Sequence, residues 1–390
     1  MKEENGLIYL DNSATTRPFD SVIDAMTACM RTQYFNPSAA YKPAVDVERA
    51  MRMCRKQIAA QLGAQEDEVI FTSGGTESDN LAILGVAETL RDAKANFVCS
   101  AVEHPAVGDT IRRVERMGVE VRVLPIDSRG CVDLAAAETV IDEHTALVSC
   151  MQVSNETGAI QPIEALSALA HRANPNVRVH VDGVQGFMRV PMHMGKMGVD
   201  LYALSGHKIH GPKGVGALVM RRGVRLAPQM TGGGQERNLR SGTYNAPGIL
   251  GLGEAVAQMA RRQVDVERMR EMKAHLWTRL KAIPGARVNG PLPGEADAAP
   301  HILSVSFEGV RGEVMRNALE GAGVLVSTGS ACASHKQKTS AALRAMGLTG
   351  EQADGTIRVS LGLMNTMDEM DEAAAQMEKM AALLAKYRRR

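Results

Sequence analysis

A lysine beside a histidine in a glycine-rich turn is the part of this chain best suited to covalent chemistry. Residues 205–214 read Ser-Gly-His-Lys-Ile-His-Gly-Pro-Lys-Gly, which places Lys208 directly after His207. An uncharged lysine amine condenses with an aldehyde, and burial or adjacent positive groups lower its pKa toward that state. We expect His207 and the glycine turn to supply this environment. A solvated surface lysine is the alternative, while a metal site at His207 and His210 lacks an evident third ligand.

An acidic residue at the end of a β-branched run indicates which aldehyde is bound. Asp182 follows Val-His-Val at 179–181, and Gln185 comes shortly after it. Pyridoxal 5′-phosphate (PLP) is an aldehyde whose ring nitrogen must stay protonated, and a buried aspartate holds that proton. We predict that Asp182 binds the ring nitrogen, Gln185 binds the ring hydroxyl, and Lys208 forms a Schiff base with the aldehyde. Alone, Asp182 is explained as well by a strand-end turn cap.

The phosphate of this cofactor requires an anion site, and a Gly-Gly turn before a helical segment offers one. Residues 71–80 read Phe-Thr-Ser-Gly-Gly-Thr-Glu-Ser-Asp-Asn. The N–H groups at a helix N-terminus bind anions, so Gly75 and Thr76 are predicted phosphate ligands, with Ser205 and His207 beside them. An ordinary helix cap explains the turn equally well in isolation.

Two polar residues after other predicted strands complete the cofactor pocket. We expect His104 to stack on the pyridine ring and to relay protons with a pKa near neutrality. The amide of Asn155 is expected to reach the ring hydroxyl or a substrate carboxylate. Because a lone histidine or asparagine in a loop is usually structural, both assignments depend on Lys208.

A cysteine in a second loop of small residues indicates sulfur chemistry. Residues 327–334 read Ser-Thr-Gly-Ser-Ala-Cys-Ala-Ser, which predicts a mobile, exposed loop around Cys332. The basic or titratable side chains at 335, 336 and 338 favour the thiolate form of this cysteine. Further on, Arg358 offers a guanidinium fork that suits a substrate carboxylate, with a surface salt bridge as the alternative.

The elements that must position these residues alternate between short β-rich runs and helical patterns. This alternation predicts an α/β fold, with a mostly parallel seven-stranded sheet between helices and the catalytic groups at the carboxyl ends of its strands. Strands are predicted at 68–72, 96–100, 119–124, 145–151, 177–181, 201–204 and 216–220, and helices at 78–91, 105–117 and 162–173.

The pattern changes near residue 250, where a smaller α+β domain is predicted to begin. A long helix over 253–281 is followed by a strand at 301–307, a helix at 311–321 and a C-terminal helix from 367. We predict a large domain over residues 15–250, and a small domain formed by residues 1–14 with 251–390.

The composition excludes several classes of protein. With 45 basic and 44 acidic residues among 390, the chain has no global charge that favours nucleic acid or a membrane surface. Its 6 cysteines form no CxxC pair, which argues against a disulfide framework or a thiolate zinc site and for a reducing compartment. The sequence contains no apolar run long enough to span a membrane, so we expect a cytoplasmic protein.

Taken together, these motifs resemble the cysteine desulfurases, the NifS/IscS-like members of the class-V aminotransferase group of PLP enzymes. The resemblance runs almost end to end. It is carried by Tyr-Leu-Asp-Asn-Ser-Ala-Thr-Thr at 9–16, Asn-Pro-Ser at 36–38, the Thr76 turn, Glu-His at 103–104, Asn-Glu-Thr-Gly at 155–158, Asp182 with Gln185, Ser-Gly-His-Lys at 205–208, Arg-Ser-Gly-Thr at 240–243 and Ser-Ala-Cys at 330–332.

The resemblance implies a PLP-dependent fold of type I and a homodimer in which Thr243 of one subunit reaches the PLP phosphate of the other. It also implies the reaction: Lys208 removes the α-proton of L-cysteine, Cys332 attacks the substrate sulfur, and L-alanine leaves while a persulfide stays on the enzyme. His104 would move protons and Arg358 would hold the substrate carboxylate, with no metal involved.

The sulfur acceptor implied by the resemblance is a protein, either an iron–sulfur scaffold or a tRNA-thiolation enzyme, with no direct nucleic-acid binding. A selenocysteine lyase or another class-V aminotransferase-type enzyme is the main alternative. A sulfur-trafficking platform that needs a partner for activity is a second. A dinucleotide-binding or P-loop protein is excluded, because neither of the corresponding glycine motifs is present.

Overall fold

The computed structural model describes residues 6–328 and 340–386. Within these residues the chain forms three β-sheets. The strands are β1 (Ile8–Tyr9), β2 (Val69–Thr72), β3 (Asn96–Ser100), β4 (Glu120–Leu124), β5 (Thr145–Ser149), β6 (Arg178–Asp182), β7 (Leu201–Ser205), β8 (Gly216–Met220), β9 (Ala286–Val288), β10 (Ile302–Phe307), β11 (Val324–Leu325) and β12 (Thr356–Ser360).

Helices surround the largest of these sheets and cover the smaller ones. They are α1 (Asp20–Thr32), α2 (Lys42–Leu62), α3 (Gly75–Ala87), α4 (Pro105–Arg116), α5 (Leu134–Val140), α6 (Ile163–Ala173), α7 (Met194–Met197), α8 (Ala246–Arg261), α9 (Gln263–Leu280), α10 (Gly312–Gly321), α11 (Ala341–Ala345), α12 (Gly350–Asp354) and α13 (Met367–Ala385). No helix in the described ranges is both long and apolar enough to cross a bilayer.

The predicted seven-stranded, mostly parallel sheet is confirmed. Its strand order is β2-β8-β7-β6-β5-β3-β4, and only β8 runs antiparallel to its neighbours. Side chains alternate between two cores: Phe97 packs in the cluster that contains α3 and α4, whereas Val98 packs in the cluster that contains α6 and α8. Because β5, β6 and β7 are parallel, their carboxyl ends meet at one edge of the sheet.

The C-terminal part of the chain builds a second, antiparallel sheet in the order β12-β10-β9. The N-terminal strand joins this region, since β1 pairs in parallel with β11 and Asp11 bridges to Ser360. The predicted boundary at residue 250 stays a prediction, and α8 runs across it.

The prediction of one continuous helix after residue 250 is wrong. The segment predicted as a single helix over 253–281 contains two helices, α8 and α9, which meet at Arg262. Arg262 leaves the helical region, with φ −113° and ψ 29°, and its guanidinium lies 5.1 Å from the centre of the Phe19 ring. No glycine or proline marks this break, so the helical pattern of the sequence gave no signal for it.

Close backbone approach between β8 and the turn before α3 generates a prediction. A Cβ at Gly216 would press against the Leu204 carbonyl and lie 2.7 Å from the Cα of Gly74, and neither backbone can retreat. We expect Gly216→Ala to lower the free energy of unfolding by about 1–3 kcal/mol, the usual cost of overpacking a core. Urea unfolding followed by circular dichroism measures this loss.

The matched control is Gly321→Ala at the end of α10, where no atom lies within 4 Å of the added Cβ. This variant should be as stable as the parent or slightly more so. Equal stability of both variants would contradict the close approach at Gly216.

Candidate active site

A cavity of about 430 Å³ opens at the carboxyl edge of the central sheet, where β5, β6 and β7 end and α3 begins. Ten residues that the sequence predicted for cofactor or substrate binding line this cavity, although they come from distant parts of the chain. They are Gly75, Thr76, His104, Asn155, Asp182, Gln185, Ser205, His207, Lys208 and Arg358.

Lys208 ends a single turn of 3₁₀-helix that directly follows β7, and this turn directs its amine back over the sheet edge. The Nζ atom donates hydrogen bonds to the carbonyl oxygens of Ser13 and, at 2.8 Å, of Ala14. Loss of solvent lowers the pKa of Lys208 to about 8, and the positive charges of Arg358 and Arg189 add to this effect. At neutral pH about one amine in ten is therefore uncharged and nucleophilic.

The expectation that His207 lowers the pKa of Lys208 is wrong. Burial lowers the pKa of His207 itself to about 4, so its ring is uncharged at neutral pH. Its Nδ1 lies 3.2 Å from the Thr15 hydroxyl oxygen. The positive neighbours are instead Arg358 and Arg189. The Arg189 guanidinium donates to the Lys208 carbonyl, and this residue is 5% exposed.

Asp182 is the last residue of β6 and is 5% exposed in the cavity wall. Its Oδ1 accepts a hydrogen bond from the Val184 N–H at 2.9 Å. Burial raises the pKa of Asp182, while His104 and Lys208 oppose that rise. A positively charged group placed against this carboxyl would offset the cost of burying its negative charge. The protonated ring nitrogen of PLP is the positive group predicted to make this contact.

Two further acids sit beside Asp182, and the sequence analysis missed both. Asp79 in α3 is 1% exposed, and its Oδ1 lies 3.4 Å from His180 Nε2. Burial and the charge of Asp182 raise the pKa of Asp79 well above its ordinary value, and burial raises the pKa of Glu103 to about 8. Glu103 is therefore mostly protonated at neutral pH, and the raised pKa of Asp79 favours its protonated form in the same way.

His104 caps α4, and its Nδ1 accepts a hydrogen bond from the Ala106 N–H at 3.1 Å. This contact leaves Nε2 as the nitrogen that can carry the proton of a neutral ring. Burial lowers the pKa of His104 below its ordinary value, although Asp182 opposes the shift. The imidazole is thus a neutral group at physiological pH rather than one poised at neutrality.

The N-terminus of α3 forms one end of the cavity. Gly75 begins the helix, and a Cβ there would run into the Val184 side chain, so only glycine leaves this end open. Thr76 and Ser205 bring hydroxyl groups to the same end. The uncapped helix N–H groups and these hydroxyls are suited to a phosphate. With the Lys208 amine and the Asp182 carboxyl in the same cavity, the residues fit PLP.

Arg358 lies within β12, not in a loop, and is 3% exposed. Its Nη2 is 2.9 Å from Asp11 Oδ1, and its Nη1 donates to the Asn155 carbonyl at 2.8 Å. The surface salt bridge considered for this arginine is therefore wrong. The buried guanidinium faces the cavity and can accept a carboxylate there.

The structure describes one of the two remaining predicted residues. Cys332 lies outside the described residues. Thr243 is exposed and stands apart from the cavity within its own chain. In residues 6–328 and 340–386, no group of three or more histidine, cysteine or acidic side chains is arranged to hold a metal ion.

The chain is similar to known proteins over nearly all of its length. The aminotransferase class-V family matches residues 8–372. The cysteine desulfurase IscS of Methanosarcina thermophila is 39% identical over 370 residues, which cover 94% of this chain and 90% of the relative. A NifS-like protein superposes with a TM-score of 0.90 at 37% identity, covering 97% of this chain and 100% of that one. SspA in complex with cysteine gives 0.80 at 31% identity, covering 92% of this chain and 100% of SspA.

The depressed pKa of Lys208 makes a testable prediction in protein prepared without cofactor. Reductive methylation of Lys208, followed by mass spectrometry of its peptide, should rise with pH around a midpoint of about 8. Arg189→Met removes one positive neighbour and should move the midpoint upward. A wild-type midpoint near the value of a free lysine, about 10.4, would contradict the assignment.

Proposed function

Because this chain belongs to the cysteine desulfurases of the class-V aminotransferase family, which depend on PLP, we propose that it uses Lys208, Asp182 and Cys332 to take the sulfur from L-cysteine. The observation that carries the assignment is the meeting of the Lys208 amine, the Asp182 carboxyl and the α3 N-terminus in one cavity. These groups match the aldehyde, the ring nitrogen and the phosphate of PLP.

The bound cofactor supplies an aldehyde for amino groups and a ring that takes up the electron pair left when an α-proton departs. The amine of Lys208 takes that α-proton, which it can do because its pKa of about 8 leaves part of it uncharged. When PLP is bound, the carboxylate of Asp182 would hold the ring nitrogen, and the N–H groups at Gly75 and Thr76 would hold the phosphate.

Sulfur transfer is assigned to Cys332, on the basis of the sequence motif and the resemblance. Its thiolate attacks the sulfur of the substrate. A new S–S bond forms as the C–S bond breaks, and the electron pair of the C–S bond stays with the carbon skeleton, which is protonated to give L-alanine. The neutral His104 ring supplies or removes protons in the cavity.

Arg358 is proposed to bind the carboxylate of the substrate. In the described structure it pairs with Asp11, so the substrate carboxylate must share or replace that partner. The contact of Arg358 with the Asn155 carbonyl keeps the guanidinium aimed at the cavity during this exchange. Asn155 also lines the cavity, and its side-chain amide is left for the substrate or the ring hydroxyl.

The persulfide sulfur is proposed to pass to an acceptor protein, as in iron–sulfur cluster assembly or thiolation. A cytoplasmic location belongs to the same proposal, because thiols stay reduced there. The five cysteines of the described ranges, at positions 29, 54, 99, 131 and 150, are all free.

The test of this function is release of alanine and sulfide from L-cysteine by PLP-loaded protein, with dithiothreitol to reduce the persulfide. Wild type should release both products. Lys208→Ala should lose the visible absorbance of the lysine-bound cofactor as well as activity, whereas Cys332→Ser should keep the absorbance and lose sulfide release by at least about a hundredfold. Full sulfide release by Cys332→Ser would refute the persulfide step.

We also propose a homodimer in which Thr243 completes the cavity of the neighbouring subunit. Thr243 is exposed and lies in the segment just before α8. Helix α8 packs against α1 and α2. Those two helices and the loop between them expose an apolar surface, which a second copy would cover. Its members are Ile23, Met30, Tyr34, Tyr41, Val45 and Met53.

Mixed dimers test this arrangement. Lys208→Ala and Thr243→Ala subunits, unfolded together and refolded at a one-to-one ratio, should recover about a quarter of wild-type activity at limiting PLP, because half of the dimers then contain one intact cavity. Each variant refolded alone is the control. No recovery in the mixture would show that Thr243 acts within its own subunit.

A further inference from the structure

His301 lies immediately behind the cavity, at a position that no motif singled out. It precedes β10 and is completely buried. Its Nε2 is 3.3 Å from Oε1 of Gln185, a cavity residue. Its Nδ1 has no hydrogen-bond partner among the described residues. The proposed mechanism leaves this histidine unused, although it touches a residue assigned to the cofactor.

The hydrogen bonds of Gln185 determine which way its amide points. The side-chain Nε2 donates to the Ser13 carbonyl at 2.9 Å, and a carbonyl can only accept. The amide NH₂ must therefore face Ser13, and Oε1 must face His301. Because Oε1 also only accepts, the imidazole of His301 must carry a proton on Nε2.

The charges around His301 keep it in this neutral form. Burial lowers its pKa well below the ordinary value, and four cationic side chains add to that effect. These are Arg189, Lys208, Lys273 and Arg358. A second proton is thus excluded over the working pH range, and the single proton stays on Nε2, where Gln185 Oε1 accepts it.

Both partners of Gln185 are fixed to the end of the same strand. The Ser13 N–H donates to the Ser360 hydroxyl oxygen at 2.8 Å, and the Leu361 N–H donates to the His301 carbonyl at 2.8 Å. Gln185 is therefore held between two groups that β12 anchors. A reversal of its amide would place two acceptors against each other at Ser13 and two donors against each other at His301.

We propose that His301 is a positioning residue that holds the Gln185 amide so that an N–H, and not the carbonyl oxygen, is available to the cavity. This inference rests on the proposed function, in which Gln185 binds the ring hydroxyl of PLP. An ionised ring oxygen is attracted by an amide N–H and repelled by an amide oxygen. His301 thereby selects the cofactor form that carries negative charge on this oxygen.

The test uses full-length protein stripped of PLP and titrated with it. His301→Leu has similar size and no donor, and it should weaken PLP binding by about tenfold, the effect of one lost hydrogen bond to a charged group. It should also shift the pH midpoint of the visible absorbance of the bound cofactor. His301→Gln retains an amide N–H, and it should stay within about threefold of wild type.

A double-mutant cycle shows whether the effect passes through Gln185. In a Gln185→Ala background, His301→Leu should change PLP affinity by less than about twofold. The same tenfold loss in that background, or wild-type affinity and absorbance in His301→Leu alone, would overturn the proposal. If thermal melting shows that His301→Leu does not fold, His301→Met takes its place with the same expectations.

The readout separates this inference from the function on which it rests. Wild-type protein that binds PLP and releases sulfide, with His301→Leu indistinguishable from it, would remove the role of His301 and leave the desulfurase intact. Wild-type protein that gives no PLP absorbance would overturn the proposed function, and the role of His301 with it.

Discussion

The active cavity depends on holding one lysine amine away from water and beside positive charge. The Lys208 amine donates no described hydrogen bond to a carboxylate in the cavity; its Nζ instead donates to the carbonyl oxygens of Ser13 and Ala14. Carbonyls stabilise an ammonium less than a carboxylate does, and Arg189 and Arg358 destabilise it further. The central sheet sets the Lys208 backbone, and the N-terminal segment sets the surroundings of its amine.

The same cavity brings together several buried acids, and burial raises the pKa of each of them. Asp79 and Glu103 have raised pKa values, and the pKa of Asp182 is also raised by burial, against the opposing effect of two basic groups, His104 and Lys208. A single carboxylate at Asp182 is sufficient to hold one proton on a ring nitrogen. A second full negative charge nearby would raise the pKa of Asp182 further, because like charges disfavour ionisation.

Much of this architecture follows from the sequence, because the parallel strands are short, apolar and continuous. Strands β3 and β8 begin and end at their predicted residues, and the residues expected at the sheet edge share one cavity. The sequence could not show which residues from distant parts of the chain contact each side chain. Arg189 and His301 carry no local motif, and their roles arise only in the folded chain, where Arg189 donates to the Lys208 carbonyl and His301 meets Gln185. The charge state of His207 was misjudged for the same reason, since burial is not visible in a pattern of neighbours.

Hydrogen bonds between residues near both ends of the chain determine when, during synthesis, the cofactor site can be completed. Asp11 meets Arg358, and the Ser13 N–H meets Ser360, across sequence separations of 347 residues. Lys208 leaves the ribosome long before β12 does, yet the Ser13 N–H gains its hydrogen bond to Ser360 only when β12 has been synthesised and has docked. Contacts of such long range form late and slowly in folding. A nascent chain therefore cannot present a finished cofactor site, and a protein truncated before residue 356 would lose the anchor that β12 provides for that site.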